Sequence, residues 1–482
     1  MNKTCRAFPA ERTKTMNFYD FTLRPPTELL FKDDKGIDFT VSDFKKLNDM
    51  IRAGIPKRSL VFLFARNERI PVGMYLSLLQ NKIVPLLLSP ALHPDLLRSL
   101  LQIYQPDFIL GKESLLPVEL NYSVIQRIED YIVLRTGFRY PHRLHEDLAL
   151  LLTTSGSTGS PKLVRQSYRN IESNAAAIAD YLNLSSAERP ITTLPMHYTY
   201  GLSVINSHLQ VGAPVLLTEK SIVEKEFWDF LRQEKATSIA GVPYTYTMLD
   251  RLRFFNMDLP DLKMMTQAGG KLSEELQRKF TEYAAQTGRK FVVMYGQTEA
   301  TARMAYLPPE KALAKIGCMG IAIPGGRFEL IDEEETVIEQ PETAGELIYY
   351  GPNVTLGYAE QAEDLSRGDE RKGRLATGDM AVRDTDGFYR IVGRKKRFLK
   401  IFGNRVNLDE IEAKCAAKFV GHEFACIGRD DEMTICHTGE LPAEKIQGFL
   451  QELTGLYKGA FICRPINEIP KNEAGKILYA KL

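Results

Sequence analysis

Residues 153–162 read TTSGSTGSPK, directly after the apolar run LALLL. Thr153, Thr154, Ser155, Gly156, Ser157, Thr158 and Gly159 carry almost no bulk, so the glycines permit close backbone approach while the hydroxyls add donors. Phosphate oxygens are bound by this combination of open amides and hydroxyls. Pro161 restricts the exit of the loop, and Lys162 supplies a long, mobile cation. The spacing departs from GxxxxGK[ST], so a Walker-type loop is a poor match. Composition alone also allows an exposed serine/threonine turn.

Further chemistry-bearing residues follow in order. YGQTEA (295–300) places Tyr295, Gly296, Thr298 and Glu299 after the apolar stretch FVVM, and TGD (377–379) ends on Asp379. Arg394 opens the basic run GRKKRFLK (393–400), and IPKNEAGKI (469–477) carries Lys476. A carboxylate such as Glu299 suits a hard divalent cation, and Asp379 offers two acceptor oxygens. Each also has a plain structural reading: Tyr295 as a core aromatic closing its strand, Glu299 as a solvated side chain, Asp379 as a turn residue, Arg394 and Lys476 as surface cations.

The elements that must position these residues alternate. SLVFLFARN (59–67) reads as a buried strand, RIPVGMYLSLLQNKIVPLLLSP (69–90) as helix then strand, and HPDLLRSLLQIYQPDFILG (93–111) repeats that order, the pattern of a parallel sheet covered by helices. A second round begins with LALLLTTSG (148–156) and the helix NIESNAAAIADYLNL (170–184). PITTLPM (190–196) and APVLLTE (213–219) are strand candidates. SIVEKEFWDFLRQEKATSIAGVP (221–243) gives helix then strand, and DLKMMTQAGG (261–270) and KFVVMYGQTEA (290–300) give two strand-to-loop transitions. After residue 315 strands shorten and glycines crowd, which suits a small antiparallel lobe. GRKKRFLK marks a compositional break, and with Phe398, Leu399 and Ile401 interleaved it reads as a hinge plus strand rather than a nucleic-acid patch. The fold class is therefore α/β: a large N-terminal domain of stacked mixed sheets with helices and a small β lobe, residues 1–394, followed by a small α+β C-terminal lid, residues 395–482.

Global composition narrows the function classes. Lys+Arg (62) and Asp+Glu (61) nearly cancel in 482 residues, so there is no overall pull toward nucleic acid or acidic lipid. Six scattered cysteines without a CxxC pair argue against a disulfide framework or zinc knuckle and favour a reducing, cytoplasmic setting. Neither a signal peptide nor an apolar run of about 18 residues is legible, so no membrane span is expected.

Taken together, TTSGSTGSPK, LPMHYTYGLS (194–203), QAGGKLS (267–273), YGQTEA, TGD, GRKKRFLKIFGNRVNLDEIE (393–412) and IPKNEAGKI resemble, in order, the motifs of the adenylate-forming superfamily: acyl- and aryl-CoA ligases, luciferases and adenylation domains. The resemblance spans roughly residue 150 to the C-terminus; residues 1–149 share only the general strand–helix texture. It implies ATP and Mg2+ as reactants, a carboxylic acid activated as its adenylate with release of diphosphate, and transfer to the thiol of CoA or of a carrier protein's phosphopantetheine after the lid rotates. Thr154, Ser155, Gly156, Ser157, Thr158, Gly159 and Lys162 correspond to the phosphate loop. Gly269, Gly270, Tyr295, Gly296, Asp379 and Arg394 correspond to the nucleotide site, with Tyr295 stacking on the base and Asp379 on the ribose hydroxyls. Thr298 falls on the α-phosphate contact and Glu299 on the metal ligand. Lys476 matches the lysine that joins carboxylate and α-phosphate, Lys396 the hinge, and Gly403 the thiol tunnel.

The acid pocket implied by the resemblance comprises His197, Tyr198, Tyr200, Gly201, Val242 and Ala268, with Gly269 and Gly270 leaving room at its wall. His197 is equally readable as a satisfied core histidine. LPMHYTYGLS lacks the aspartate that would pair with an α-ammonium, and a buried unpaired ammonium is costly. An aryl or modest aliphatic acid is therefore expected in preference to an α-amino acid. The stretch DDEMTICHTGELPAEKIQGFLQELTG is expected to pass from a turn to a helix with little between, which makes the CoA surface of the lid open to question and a carrier protein a serious alternative. An amino acid adenylation domain and a catalytically inert nucleotide-binding scaffold are the remaining alternatives.

Overall fold

The structure is a computed structural model that describes residues 17–115, 122–138, 143–153, 162–402, 404–429, 431–471 and 477–482. Its largest sheet has eight strands in the order Gly357–Ala359, Leu163–Ser167, Leu148–Thr153, Val84–Leu88, Leu60–Phe64, Phe108–Lys112, Tyr131–Thr136 and Tyr122–Ile128. Its central strands pair in parallel, and Leu60–Phe64 and Val84–Leu88 are buried at every position. Both faces are covered, which is why these segments are continuously apolar instead of alternating. Leu148–Thr153 runs antiparallel to Leu163–Ser167, with Thr153 opposite Leu163, so the two ends of the TSGSTGSP loop are paired strand residues. Ser167 then caps the helix Tyr168–Tyr181: its hydroxyl accepts from the Asn170 amide, while the Asn170 side chain accepts from the Ser167 amide. This reciprocal capping lets strand pass into helix without a connecting loop.

The second sheet sets up the site. Ser238–Gly241, Met264–Gln267 and Lys290–Tyr295 are parallel, with Gly241 opposite Gln267 and Gln267 opposite Val293. That register brings Val242, Ala268 and Tyr295–Gly296 to one edge, the carboxyl ends of parallel strands where α/β sheets bind ligands. Two short antiparallel strands, Ala305–Tyr306 and Ile321–Ala322, extend the sheet. Beyond it lies a four-stranded lobe of Arg327–Ile331, Gly345–Tyr350, Arg374–Arg383 and Tyr389–Arg394, antiparallel as the glycine-rich texture indicates, although its strand Arg374–Arg383 runs ten residues instead of shortening.

Two expectations need correction. PITTLPM forms no extended strand: only Pro190 and Ile191 make isolated bridges, to Ser238 and Leu216. Side chains take over from the backbone ladder there, since Thr192 Oγ1 donates to the Thr218 carbonyl and accepts from the Thr218 amide, and Asn67 Oδ1 accepts from the Met196 amide. In the lid, a strand does separate the turn from the helix. Glu432–Thr438 pairs antiparallel with Phe424–Arg429 and parallel with Phe461–Ile466 before the helix Ala443–Thr454 begins. Met433, Ile435 and Cys436 of EMTICHT are fully buried in this small sheet, an apolar content masked in the sequence by its polar neighbours.

Within the basic run, Lys395 and Arg397 are engaged by the fold. Lys395 Nζ pairs with Glu346 at 2.6 Å, and the Arg397 guanidinium binds Asp409, Glu412 and the Cys426 carbonyl while stacking on Tyr479. A turn of 3-10 helix, Lys395–Arg397, joins the antiparallel lobe to the lid hairpin Phe398–Ile401/Asn404–Asn407. Leu399, Ile401, Val406, Ile411, Ile435, Ile446 and Leu450 form the lid's own core.

Candidate active site

Tyr295 ends its strand against the antiparallel lobe. Its hydroxyl donates to Asp379 Oδ2 at 2.5 Å, and Gln297 Nε2 donates to the same oxygen at 2.9 Å and to the Thr377 carbonyl at 3.0 Å. Arg394 Nε lies 3.1 Å from Asp379 Oδ1. Asp379 is buried, whereas the Arg394 side chain is 60% exposed. Burial and the Asp379 carboxylate together raise the Tyr295 hydroxyl well above its ordinary pKa, so it stays a donor. Gly296 is obligatory next to it, because a Cβ there would sit 1.7 Å from the Ala302 carbonyl oxygen.

One turn further on, Thr298 Oγ1 meets Thr199 Oγ1 at 3.0 Å, and Gln166 Nε2 donates to the Thr298 carbonyl at 3.4 Å. Three segments far apart in sequence thus meet at Thr298. The Glu299 backbone is gripped independently of its side chain: its carbonyl accepts from the Thr355 amide, the Thr355 hydroxyl and Arg371 Nη1. Glu299 Oε1 accepts from the Tyr358 hydroxyl at 2.6 Å, and Lys162 Nζ lies 3.8 Å from the centre of the Tyr358 ring while pairing with Glu360 at 3.0 Å. Burial, then the neighbouring Glu299 charge, pushes the Tyr358 hydroxyl up to about 12. No group of three or more His, Cys, Asp or Glu capable of holding a metal occurs among the described residues. A single half-buried carboxylate suits Mg2+ held jointly by protein and substrate phosphates, the mode that cation commonly adopts. Glu299 would hold it, and the ion would supply charge neutralisation on the polyphosphate.

Arg165, on the strand leaving the loop, fixes this corner. Its side chain is fully buried; Nε donates to the Tyr358 carbonyl at 3.0 Å, and the rest of the guanidinium reaches the Leu356, Arg367 and Gly368 carbonyls and Glu370. Arg165→Met leaves several carbonyls unsatisfied, and each buried acceptor without a donor costs about 1–3 kcal/mol. A loss of about 3 kcal/mol or more is expected, read as a lowered urea midpoint with unchanged slope.

One residue beyond Thr199 begins an apolar cluster that holds a small internal cavity, lined in part by Tyr200, Ala240, Met264 and Met294. Tyr200, Ala240, Val242, Met264, Ala268 and Met294 form one buried cluster, with Tyr198 packed on it. The Tyr200 hydroxyl lies 2.8 Å from both Thr266 O and Thr266 Oγ1. The room expected at Gly269 is taken by Tyr198: a Cβ at Gly269 would lie 2.6 Å from the Tyr198 hydroxyl, and φ there is +85°. Gly270 faces Pro243. Gly201 faces the Pro195 and Leu194 carbonyls, where it permits the helix Thr199–Gln210 to start against that turn. His197 Nδ1 lies 3.4 Å from the Ala65 carbonyl.

Thr154, Ser155, Gly156, Ser157, Thr158, Gly159, Gly403 and Lys476 lie outside the described residues, as does the side chain of Lys396. Around Lys476, Lys471 bridges to Ile477, and the Tyr479 hydroxyl donates to Glu412.

The family model described as "AMP-binding enzyme" matches residues 45–359. The chain belongs to the AMP-binding enzyme family. The match begins about a hundred residues before the first quotable motif, so the texture of residues 45–149 is family structure as well. A 2-succinylbenzoate–CoA ligase of Oceanobacillus iheyensis is 28% identical over 349 residues, covering 70% of each chain. An indoleacetate–CoA ligase of Aromatoleum aromaticum is 32% identical over 285 residues, 59% of this chain and 54% of that one. The solved O-succinylbenzoate coenzyme A synthetase of Bacillus subtilis, in complex with AMP, superposes with a TM-score of 0.77 at 19% identity over 97% of this chain and 98% of that one.

Several residues of this AMP-binding enzyme's site lie outside the motifs, or inside them without an assigned contact. Tyr358 and Arg371 lie some sixty and seventy residues beyond Glu299 in stretches with no signature, and only the sheet pairing of Gly357–Ala359 with Leu163–Arg165 brings Tyr358 in. Gln297 sits inside YGQTEA and was legible as a polar residue at a strand end. Thr199 lies inside LPMHYTYGLS at the start of its helix.

Proposed function

We propose that this protein is an AMP-forming acid–thiol ligase that activates an aryl or short-to-medium acyl carboxylic acid and passes it to CoA. In the first half, a carboxylate oxygen bonds to the α-phosphorus of ATP and the bond to the β-phosphate oxygen breaks, releasing diphosphate. In the second, the thiol sulfur bonds to the acyl carbon, AMP leaves, and the thiol proton passes to solvent. A carboxylate is already ionised near pH 7, so the first half needs positioning and charge stabilisation instead of a base.

The observation that carries this reading is the convergence of Thr298, Glu299 and the Tyr295–Asp379–Arg394 group next to the buried apolar cluster of Tyr200, Ala240 and Met264. Arg394 is the exposed member of that group, so ribose hydroxyls can compete for Asp379 Oδ1 without uncovering a buried cation. Lys162 and the TSGSTGSP loop are assigned to the phosphates, and Lys476 to the meeting of carboxylate and α-phosphate. The joint between residues 1–394 and 395–482, with Lys396 at the hinge and Gly403 on the thiol path, belongs to the same proposal. CoA as acceptor is supported by the names of the two curated relatives; the carrier protein is the second acceptor to test. A cytoplasmic setting fits the free thiols of Cys318, Cys415, Cys426, Cys436 and Cys463. No helix among the described residues is long and apolar enough to cross a membrane.

Hydroxylamine trapping with ATP and a panel of aryl, fatty, short-chain and α-amino acids tests the reading. Hydroxamates from aryl or acyl acids are expected. Trapping confined to α-amino acids would move the protein to the amino acid adenylation class, and no acid-dependent product would favour a nucleotide-binding scaffold.

A further inference from the structure

Tyr358 reaches two groups assigned to the nucleotide at once. Its hydroxyl donates to Glu299 Oε1 at 2.6 Å, and the Lys162 ammonium lies 3.8 Å from the centre of its ring. The Arg371 guanidinium stands 4.6 Å from the same ring, while its Nη1 donates to the Glu299 carbonyl at 3.0 Å and to the Thr355 hydroxyl at 2.7 Å. One aromatic side chain therefore joins the metal carboxylate, the lysine at the exit of the phosphate loop and the arginine that grips the Glu299 backbone.

Sheet register puts it there. Gly357–Ala359 runs antiparallel to Leu163–Arg165, with Tyr358 opposite Val164 and Ala359 opposite Leu163. Glu360 then falls opposite Lys162 at the next position and pairs with it at 3.0 Å. The strand itself is pinned. Arg165 Nε donates to the Tyr358 carbonyl at 3.0 Å, and the Tyr104 hydroxyl donates to the Ala359 carbonyl at 2.8 Å. Gly357, at φ +137°, leaves room for the Arg165 guanidinium, since a Cβ there would lie 2.9 Å from Nη2. A fixed strand thus delivers the phenol to Glu299.

A phenol orients a carboxylate without neutralising it. Among the described residues no ammonium or guanidinium pairs with the Glu299 carboxylate: Lys162 takes Glu360, and Arg371 takes a carbonyl and a hydroxyl oxygen. A cation in that place would compete with a divalent ion, whereas a neutral donor on Oε1 leaves the full charge and Oε2 available. Burial and the Glu299 charge keep the hydroxyl protonated through the neutral range. Hydrogen bonds of this kind, made to a metal ligand by a neighbouring side chain, typically change metal affinity by about 10–100-fold.

We propose that Tyr358 is a positioning residue for magnesium-bound ATP: its hydroxyl aims Glu299 at the ion, and its ring holds the Lys162 ammonium at the same corner, facing the phosphates. The inference rests on the ligase reading above for the roles of Glu299 and Lys162.

Mg2+ titrations test it, read by calorimetric binding of ATP without any acid and by ATP–diphosphate exchange with the best acid. Tyr358→Phe removes the hydroxyl and keeps the ring. The Mg2+ needed for half-maximal ATP binding and exchange should rise by about 10-fold, and the deficit should close as Mg2+ is raised. With Glu299→Gln already present, Tyr358→Phe should add a shift of less than about twofold, because the two side chains act as one unit. Tyr358→Leu removes the ring as well. It should weaken ATP binding at saturating Mg2+ by at least about threefold beyond Tyr358→Phe, a difference that Lys162→Met abolishes. Wild-type Mg2+ dependence in Tyr358→Phe, a deficit that Mg2+ does not reverse, or the same shift with Glu299→Gln present would overturn the proposal. So would equal ATP affinities for Tyr358→Phe and Tyr358→Leu. If no acid supports exchange but ATP binding shows these shifts, the ligase reading fails and the positioning role stands.

Discussion

Glu299→Gln reduces acid-dependent ATP–diphosphate exchange by about 100-fold or more, with the fold and the melting temperature unchanged. The magnitude is that of removing one preorganised electrostatic contact from a transition state. The fold is spared because three donors hold the Glu299 carbonyl and none of them uses its carboxylate. Glutamine is isosteric and still accepts from the Tyr358 hydroxyl, so that ring keeps its place beneath Lys162. What disappears is the negative charge that a magnesium ion on the polyphosphate would need. The variant should therefore require more Mg2+ for half-maximal exchange. Exchange near the wild-type rate at the same Mg2+ concentration would remove Glu299 from the metal site.

Lys476→Ala separates the two half-reactions. Adenylate formation should fall by about 100-fold or more, while thioester formation from a preformed acyl-adenylate and CoA stays within about threefold. Bringing an anionic acid against a triphosphate builds repulsion, and the five-coordinate transition state concentrates negative charge on the oxygens around the α-phosphorus. An ammonium withdrawn from water relieves both, and it has no comparable task once the mixed anhydride exists. The C-terminal segment is anchored for such a role: Ile477 bridges to Lys471, and the Tyr479 ring lies against Arg397, at the start of the lid. Equal losses in both half-reactions would assign the lysine a different duty.

Much of the architecture was legible because local chemistry and global fold agree. The continuous apolar runs at 60–64, 84–88 and 148–152, short and bounded by turn residues, fit two-sided buried strands, and the residues following the strands at 264–267 and 290–295 necessarily share one sheet edge once those strands are parallel. PITTLPM failed as a strand because two prolines flank it and the side chains of Thr192 and Asn67 replace backbone partners. EMTICHT was missed because its buried set, Met433, Ile435, Cys436 and His437, departs from strict alternation and includes a histidine, in a strand paired on both sides. In the site, motif residues were readable as types but not as contacts. That Asp379 meets Tyr295, or that Glu299 meets Tyr358, depends on pairings across sixty to eighty residues. Arg303 shows the limit most clearly: only its burial and its lack of an ion pair among the described residues mark it, and neither is a property of sequence.

The most direct measurement uses the best acid from the panel, labelled with oxygen-18 in its carboxylate. Attack by that carboxylate on the α-phosphorus should leave one labelled oxygen in AMP after thioester formation, with diphosphate unlabelled. Label recovered in orthophosphate alongside ADP, or AMP released without label, would contradict attack at the α-phosphorus.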